Sequence, residues 1–249
     1  MKEIQIRKND AGQRLDRFVG KAVPLLPESL LQKYIRLKRI KRNGKGTKRD
    51  VRLVEGDVLQ LYINDEFFER PTEENAWLKI ATPRLDIVYE DENILLADKK
   101  PGVLCHSAGE WSWDTLISNI QAYLRQSGEW DPKAENAFTP ALCNRIDRNT
   151  GGIVIAAKNA EALRILNDKI RDREIDKAYL CVVCGRPKPA EGRLEGYLFK
   201  DAVKNQVYVT KKPQPGAKSA ATEYRTLQSS RGLSLVECRL LTGRTHQIR

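Results

Sequence analysis

The alternation of apolar and polar residues predicts a chain of short strands with a few amphipathic helices. Short apolar runs bounded by glycine, proline or charged residues are typical of strands, and they occur at 58–63, 85–89, 94–97, 153–157, 178–184, 221–227 and 233–241. Apolar residues at helical spacing predict helices over 27–36, 114–126 and 160–172. This mixture of elements predicts an α+β fold with hairpins at 85–97 and 221–241.

Capping and turn residues set the expected ends of these elements. Pro27 is placed to begin the first helix, and Asp114 and Asn159 are placed to cap the other two. Asn43-Gly44 is a turn signal that predicts a hairpin directly after the first helix.

The composition indicates a polyanionic partner. The chain has 249 residues and a net charge of +11, with 41% hydrophobic and 31% charged residues. Nucleic acid fits this charge, and so would an acidic membrane surface. No apolar run approaches the length of a membrane span, and the N-terminus lacks a signal-peptide core. We therefore expect a cytoplasmic protein that makes no membrane contact.

Positive charge is concentrated in the first 70 residues, called here the basic module. They contain 17 Lys or Arg against 10 Asp or Glu, and Asp50 is the single acid between Lys33 and Arg52. Charges of one sign on a helix that leads into a hairpin favour phosphate contact over a merely solvated face. The candidate RNA-binding residues are Lys33, Arg36, Lys38, Arg39, Lys41, Arg42 and Lys45.

A polar stretch that contains proline separates this module from the rest. The predicted boundaries are 1–70 for the basic module, 71–84 for a linker and 85–249 for a second, larger domain. No internal repeat is visible.

The five cysteines do not indicate a disulfide framework or a metal site. Cys181 and Cys184 form a C-x-x-C, but they lie in a predicted strand. Residues three apart on a strand point to opposite faces, so the two thiols are poorly placed to share a ligand. We expect no metal.

The stretch from Cys143 to Lys158 carries the strongest candidate chemistry. Asp147 lies between Arg145 and Arg148, in a loop that leads through two glycines into a buried strand. Neighbouring guanidinium groups would hold such a carboxylate ionised. From these residues alone, a structural ion pair beside a turn is the commoner explanation.

This stretch resembles the Arg-Leu-Asp-x-x-Thr-Ser-Gly signature of the RluA family of RNA pseudouridine synthases. Three further segments resemble, in the family's order, its Lys-Pro-x-Gly segment (98–106), its tyrosine strand (177–180) and its third motif (243–249). Two residues depart from the pattern, since Asn144 replaces the usual His and Gly151 replaces Ser. Parts of the basic module also resemble the alpha-L RNA-binding motif.

The resemblance implies a mixed, largely antiparallel sheet with flanking helices, whose central cleft holds Asp147 as the catalytic aspartate. Arg249 would be its ionic partner, Tyr179 would stack on a flipped uracil, and Arg145 would occupy the space that the base vacates. The reaction breaks the bond between uracil nitrogen and ribose and rejoins the base through carbon 5. No cofactor is expected, because nothing is oxidised and no group is lost.

The expected function is therefore pseudouridine formation by a monomer, with large-subunit ribosomal RNA favoured as substrate and transfer RNA left open. Two alternatives remain, a non-catalytic RNA-binding or ribosome-assembly factor and a nucleoside hydrolase or base glycosylase. The sequence stops at Arg249, where the third motif is expected to open a helix. Either a fragment or an unusual terminus would explain this, and we expect the 249-residue chain to be poorly active.

Overall fold

The computed structural model describes residues 1–68, 76–107, 112–201 and 206–249. The chain divides into two compact units, Met1–Asp168 and Lys169–Arg249, and each is described by itself.

The first unit begins with a small sheet and two helices that form the basic module. Its elements are β1 (Lys2–Gln5), α1 (Leu15–Ala22), α2 (Glu28–Arg36), β2 (Ile40–Arg42), β3 (Lys45–Gly46) and β4 (Val58–Leu61). The strands pair antiparallel in the order β1-β4-β2-β3. Leu15, Phe18 and Leu59 are wholly buried in a shared core. The module thus has an apolar core of its own.

Helix α2 confirms the predicted division between a buried and a charged face. Tyr34 and Ile35 are buried, whereas Lys33 and Arg36 are exposed. The turn after β2 is also confirmed, because Asn43 and the following glycine both have positive φ angles, of 51° and 77°. Such angles suit a tight hairpin turn.

The rest of the first unit carries a second antiparallel sheet, in the order β5-β6-β8-β7. The elements are β5 (Ile87–Glu90), β6 (Ile94–Lys99), α3 (Leu116–Gln126), β7 (Ala141–Leu142), β8 (Gly152–Ala157) and α4 (Ala160–Arg171), with short 3-10 helices at Asp65–Phe68 and Ala76–Lys79. The hairpin predicted over 85–97 and the buried strand after Asp147 are both confirmed. Helix α4 runs on into the second unit.

The capping prediction is right for α4 and wrong for α3. Asn159 Oδ1 accepts the Ala162 N–H at 2.9 Å. Helix α3 is capped by Thr115, whose side chain accepts the Ser118 N–H at 3.2 Å. Asp114 instead accepts a bond from the Asn119 amide at 2.8 Å. Both residues are capping types, and only the position of the first helical turn decides between them.

Residues 76–84, in the predicted linker, pack against α3. Trp77 and Trp130 meet edge to face with their ring centroids 5.5 Å apart. Gln126 Nε2 donates to the Ala81 carbonyl at 3.1 Å, and the Arg84 N–H donates to Asn119 Oδ1 at 2.8 Å. Residues 71–75 of that linker lie outside the described residues. The domain boundaries themselves stay a prediction.

The second unit is a five-stranded antiparallel sheet in the order β11-β10-β12-β13-β9. Its strands are β9 (Ala178–Cys184), β10 (Glu191–Asp201), β11 (Gln206–Thr210), β12 (Lys218–Ser230) and β13 (Leu233–Leu240). Strands β10 and β11 were not predicted, because charged residues and glycines interrupt the apolar alternation of β10 and because β11 is only five residues long. The predicted hairpin β12–β13 is confirmed.

The α+β prediction is confirmed, and the strand pairing is simpler than the resemblance implied. Every strand ladder in the described ranges is antiparallel, and the parallel contact found there is an isolated bridge between Leu104 and Thr115. The described strands form sheets of four, four and five strands. No helix in the described part of the chain is long and apolar enough to cross a membrane.

Candidate active site and RNA-binding surface

The loop that carries Asp147 connects β7 to β8 and is held along β8 at its start. The Cys143 N–H donates to the Ile155 carbonyl, and the Ile155 N–H donates to Asn144 Oδ1, both at 2.8 Å. The Asn144 side chain therefore accepts a bond in the manner of a backbone carbonyl. This departure from the family's histidine retains a hydrogen-bonding role.

Asp147 is half-buried at the tip of this loop, between a buried and an exposed neighbour. Ile146 is buried, and its carbonyl accepts a bond from the Cys105 thiol at 3.4 Å. Arg145 and Arg148 are exposed. The Thr150 N–H closes a turn on the Asp147 carbonyl at 3.1 Å. The backbone therefore holds this position while the region around it stays open to solvent.

Lys99 contacts the backbone of the Asp147 loop, and it was not among the predicted site residues. Its side chain is 1% exposed, and Nζ donates to the carbonyls of Lys100 at 3.1 Å, Val103 at 2.8 Å and Arg148 at 3.0 Å. Burial lowers the pKa of Lys99, and electrostatic interactions, among them one with Asp147, oppose that shift. The carboxylate of Asp147 is thus close enough to interact electrostatically with this cation.

A signal for Lys99 was present in the sequence. Strand residues alternate between faces, and Lys99 shares its face with Leu95 and Ala97, which are both buried. A lysine in register with buried apolar residues requires internal partners for its three N–H groups.

Further contacts join the segment 98–106 to the Asp147 loop. The Gly102 N–H donates to the Arg148 carbonyl at 2.8 Å, and Arg148 Nε donates back to the Gly102 carbonyl at 3.0 Å. A Cβ added at Gly151 would lie 3.2 Å from Pro101 Cδ, closer than ordinary contact. Glycine in place of the family's serine therefore permits this close approach.

Two side chains of the segments around Asp147 have shifted pKa values. Desolvation, and then the positive charge of Arg145, lower the pKa of His106. Burial raises the pKa of the Cys143 thiol to about 11. We infer a neutral imidazole near Arg145 and a thiol that is unreactive near neutral pH.

The second unit contains the other two predicted site residues. Tyr179 is half-buried on β9, directly opposite the buried Cys238 of β13. Arg249 is exposed, and its N–H donates to the His246 carbonyl at 3.2 Å. Arg145 and Asp147 belong to the first unit. The expected pairing of Asp147 with Arg249, and the stacking role of Tyr179, stay predictions.

The third motif forms turns over residues 243–249, and the helix expected to open at Arg249 stays a prediction. Gln247 holds the segment against β12, because its Nε2 donates to the Ala221 carbonyl at 3.0 Å and to Thr222 Oγ1 at 2.9 Å. Its Oε1 accepts bonds from Thr242 Oγ1 at 2.8 Å and the Arg244 N–H at 3.0 Å. The oxygen and the nitrogen of the Gln247 side-chain amide therefore both anchor the third motif.

The C-x-x-C pair lies on a strand, as predicted. Cys181 is half-buried, with its Sγ 3.7 Å from Cys238 Sγ, whereas Cys184 is exposed. Within the described ranges, no cluster of three or more histidine, cysteine, aspartate or glutamate side chains could hold a metal ion.

A groove of about 630 Å³ on the basic module contains part of the predicted RNA-binding set. It is lined by Gln32, Ile35, Arg36, Lys38, Gly46, Thr47, Lys48 and Arg49. Lys33, Arg39 and Lys45 are also exposed. Lys48 and Arg49 were not among the predicted residues, because a charge run does not reveal which of its members border a groove.

Three of the predicted basic residues also make internal contacts. Arg42 Nε forms a 2.6 Å ion pair with the buried Asp57. The Arg39 guanidinium lies 5.3 Å from the ring centre of Tyr34, and Lys41 Nζ lies 5.2 Å from that of Tyr62. Arg42 therefore stabilises the module itself, and the other two are positioned by aromatic rings.

Comparison with known proteins decides the family. A model described as RNA pseudouridylate synthase matches residues 93–249. The chain belongs to this family. An uncharacterised RNA pseudouridine synthase of Mycoplasma genitalium is 33% identical over 248 residues, which cover 98% of this chain and 75% of that protein. Ribosomal large subunit pseudouridine synthase C of Escherichia coli K12 is 28% identical over 250 residues, covering 100% and 75%.

A solved structure supports the same fold. Human RNA pseudouridylate synthase domain containing 4 matches with a TM-score of 0.53 and 21% identity, covering 71% of this chain and 66% of that one. Membership of the RNA pseudouridylate synthase family makes this protein an isomerase that acts on RNA. Family membership favours that activity over both alternatives considered from the sequence.

Proposed function

We propose that this pseudouridine synthase modifies uridines of large-subunit ribosomal RNA in the cytoplasm, as a monomer. The observation that carries the substrate proposal is the similarity, over its whole length, to proteins named ribosomal large subunit pseudouridine synthase C. The positively charged groove on the basic module supports an extended RNA substrate, since each phosphate neutralised by Lys or Arg adds to affinity.

Asp147 is the proposed catalytic carboxylate. It is half-buried on a loop that is tied to the segment 98–106 through Lys99 and Arg148. A carboxylate held in this way can attack the sugar or the base, or stabilise positive charge at the sugar carbon. Preorganisation by the surrounding backbone bonds supports any of these roles.

The target uridine must leave its stack to reach that carboxylate. We assign Tyr179 to stack on the flipped base, which contributes on the order of 1–3 kcal/mol per base. Arg145 is exposed beside Asp147 and is assigned to the space that the base vacates. Arg249 is assigned as the ionic partner of Asp147.

Pseudouridine mapping in RNA from cells with and without the gene tests the substrate. We expect at least one pseudouridine of large-subunit ribosomal RNA to disappear when the gene is deleted, while those of transfer RNA are retained. Loss confined to transfer RNA would overturn the substrate proposal. Release of tritium from carbon 5 of labelled uridine in large-subunit RNA, measured on purified protein, provides the direct check.

A further inference from the structure

The basic module contacts the catalytic part of the first unit, residues 85–168, through its loop at residues 7–12, called here the docking loop. The Asn136 amide reaches this region with both of its N–H groups. One donates to the Gln5 carbonyl at 2.8 Å and the other to Asp10 Oδ2 at 2.7 Å. These partners are more than 120 residues apart in the chain, so the bonds report tertiary contact.

Asp10 makes this contact specific. The residue is wholly buried, and Oδ2 accepts the Arg7 N–H at 3.0 Å in addition to the Asn136 bond. Among the described residues, Oδ1 has no hydrogen-bond partner. The docked arrangement therefore supplies Asp10 Oδ2 with a donor from the catalytic part in addition to the one from its own loop.

Asn9 forms a second pair of bonds at the same surface. Its Nδ2 donates to Glu135 Oε1 at 2.7 Å, and its Oδ1 accepts the N–H of Ala160, the first residue of α4, at 3.2 Å. Asn9 and Asn136 therefore each contribute two bonds that cross the contact, which orients the two surfaces as well as joining them.

Packing continues on both sides of these bonds. Ala137 packs against the apolar core of the basic module. On the other side, the Arg164 guanidinium carbon lies 3.6 Å from where a Cβ on Gly12 would stand. Gly12 has a φ of 78°, in the region that favours glycine. Helix α4 and the segment 135–137 thus both contact the docking loop.

We propose that the basic module is docked rigidly on the catalytic part, and that Asn9 and Asn136 are positioning residues which determine the uridine presented to Asp147. A module on a flexible tether would only raise the local concentration of RNA. A docked module holds its phosphate-binding groove at a fixed distance from Asp147, so RNA geometry selects the uridine. This inference rests on the proposed roles of that groove and of Asp147.

The test uses an Asn9→Ala/Asn136→Ala double variant in the whole chain. Asn64→Ala is the matched control, because Asn64 is exposed and its side-chain amide donates a long bond of 3.4 Å to Glu66. If the double variant folds poorly, Asn9→Ala alone removes two crossing bonds and leaves Asp10 with both of its donors. The substrates are a folded large-subunit RNA fragment and a short oligonucleotide that contains the same uridine.

We expect the affinity of the double variant for the folded RNA, and the salt dependence of that affinity, to match those of the parent. The rate at the target uridine of the folded RNA should fall about tenfold or more, since small misplacements have large kinetic effects, and neighbouring uridines should become modified. The rate on the short oligonucleotide should be unchanged. An equal loss on both substrates, or no loss on the folded RNA, would overturn the proposal.

Rotational tumbling tests docking without reference to catalysis. Amide nitrogen relaxation should give one correlation time for residues 1–63 and 85–168 in the parent, and a shorter one for residues 1–63 in the double variant. Independent tumbling in the parent would overturn the proposal. If the parent modifies transfer RNA, the ribosomal substrate proposal fails, while docking is still tested by tumbling and by the same comparison on that RNA.

Discussion

Lys99 Nζ donates to the carbonyl oxygen of Arg148 at 3.0 Å, and this bond joins the end of β6 to the loop that carries Asp147. The same ammonium group holds the carbonyls of Lys100 and Val103. One buried side chain thus fixes two of the segments that resemble family motifs. Its role is to shape the backbone around the carboxylate.

Lys99→Met should destabilise the protein and reduce activity. Methionine keeps a similar length but has no donor, so the carbonyls of Lys100, Val103 and Arg148 each lose one bond, while those of Lys100 and Arg148 keep the N–H of Val103 and of Gly102. A hydrogen bond to a charged group contributes about 1.5–3 kcal/mol and an unsatisfied buried group costs about 1–3 kcal/mol, so with some relaxation we expect a loss of about 2–5 kcal/mol in denaturant unfolding. Lys100→Met is the control, because Lys100 is exposed and pairs with Asp86 and Asp98 at the surface. Equal stability of the two variants would contradict this role.

Asp147→Asn should abolish pseudouridine formation without unfolding the protein. Asparagine keeps the volume but cannot act as an anion, so RNA affinity and melting temperature should stay near those of the parent. Asp86→Asn, which removes an equal charge from an exposed ion pair, should remain active. If Asp147 were only structural, loss of a buried pair would cost roughly 3–5 kcal/mol and the folded molecules would keep their turnover.

Arg36→Ala/Lys48→Ala should weaken RNA binding and flatten its salt dependence. Both residues line the groove on the basic module. The slope of log affinity against log salt is negative, and its magnitude should decrease by roughly 0.7–0.9 for each phosphate that the variant no longer neutralises. Turnover at saturating RNA should change little. Arg17→Ala/Lys21→Ala removes the same charge from exposed positions on α1, and an equal effect there would show that net charge alone matters.

Asp57 should make the basic module sensitive to acid. Burial alone would raise the pKa of Asp57, but bonds from Arg42, the Val54 N–H and Asn43 lower it below its ordinary value. The unfolded pKa is about 3.9, so this stabilisation is present above that pH and is lost as pH falls through the folded pKa.

Asp57→Asn should therefore lower stability at neutral pH by about 1.5–3 kcal/mol and flatten the decline of stability below pH ~4. Thermal unfolding between neutral and acid pH measures both effects. Asp50→Asn removes an exposed carboxylate from the same module and should leave the profile unchanged. A parallel shift of both variants would rule out a specific role for Asp57.

Local patterns were sufficient for many elements of this chain. Short apolar runs located β6 and β8, and helical spacing located α2 and α4, because both signals are local and do not depend on what covers the element. The motifs around Asp147 were visible for a similar reason, since their residues are contiguous. Strand β10 was missed because charged side chains interrupt its alternation, and β11 was missed because it is a short, uncharged run of five residues.

The sequence by itself determined the α+β class, the concentration of positive charge in the basic module and the candidacy of Asp147. Only the tertiary structure decided that Lys99 holds the Asp147 loop, that Thr115 caps α3 and that Asn9 and Asn136 dock the basic module. The physical reason is that a hydrogen bond between residues more than 120 positions apart, such as Asn136 to Asp10, produces no periodic pattern in the sequence. Its partners become neighbours only when the intervening chain has folded.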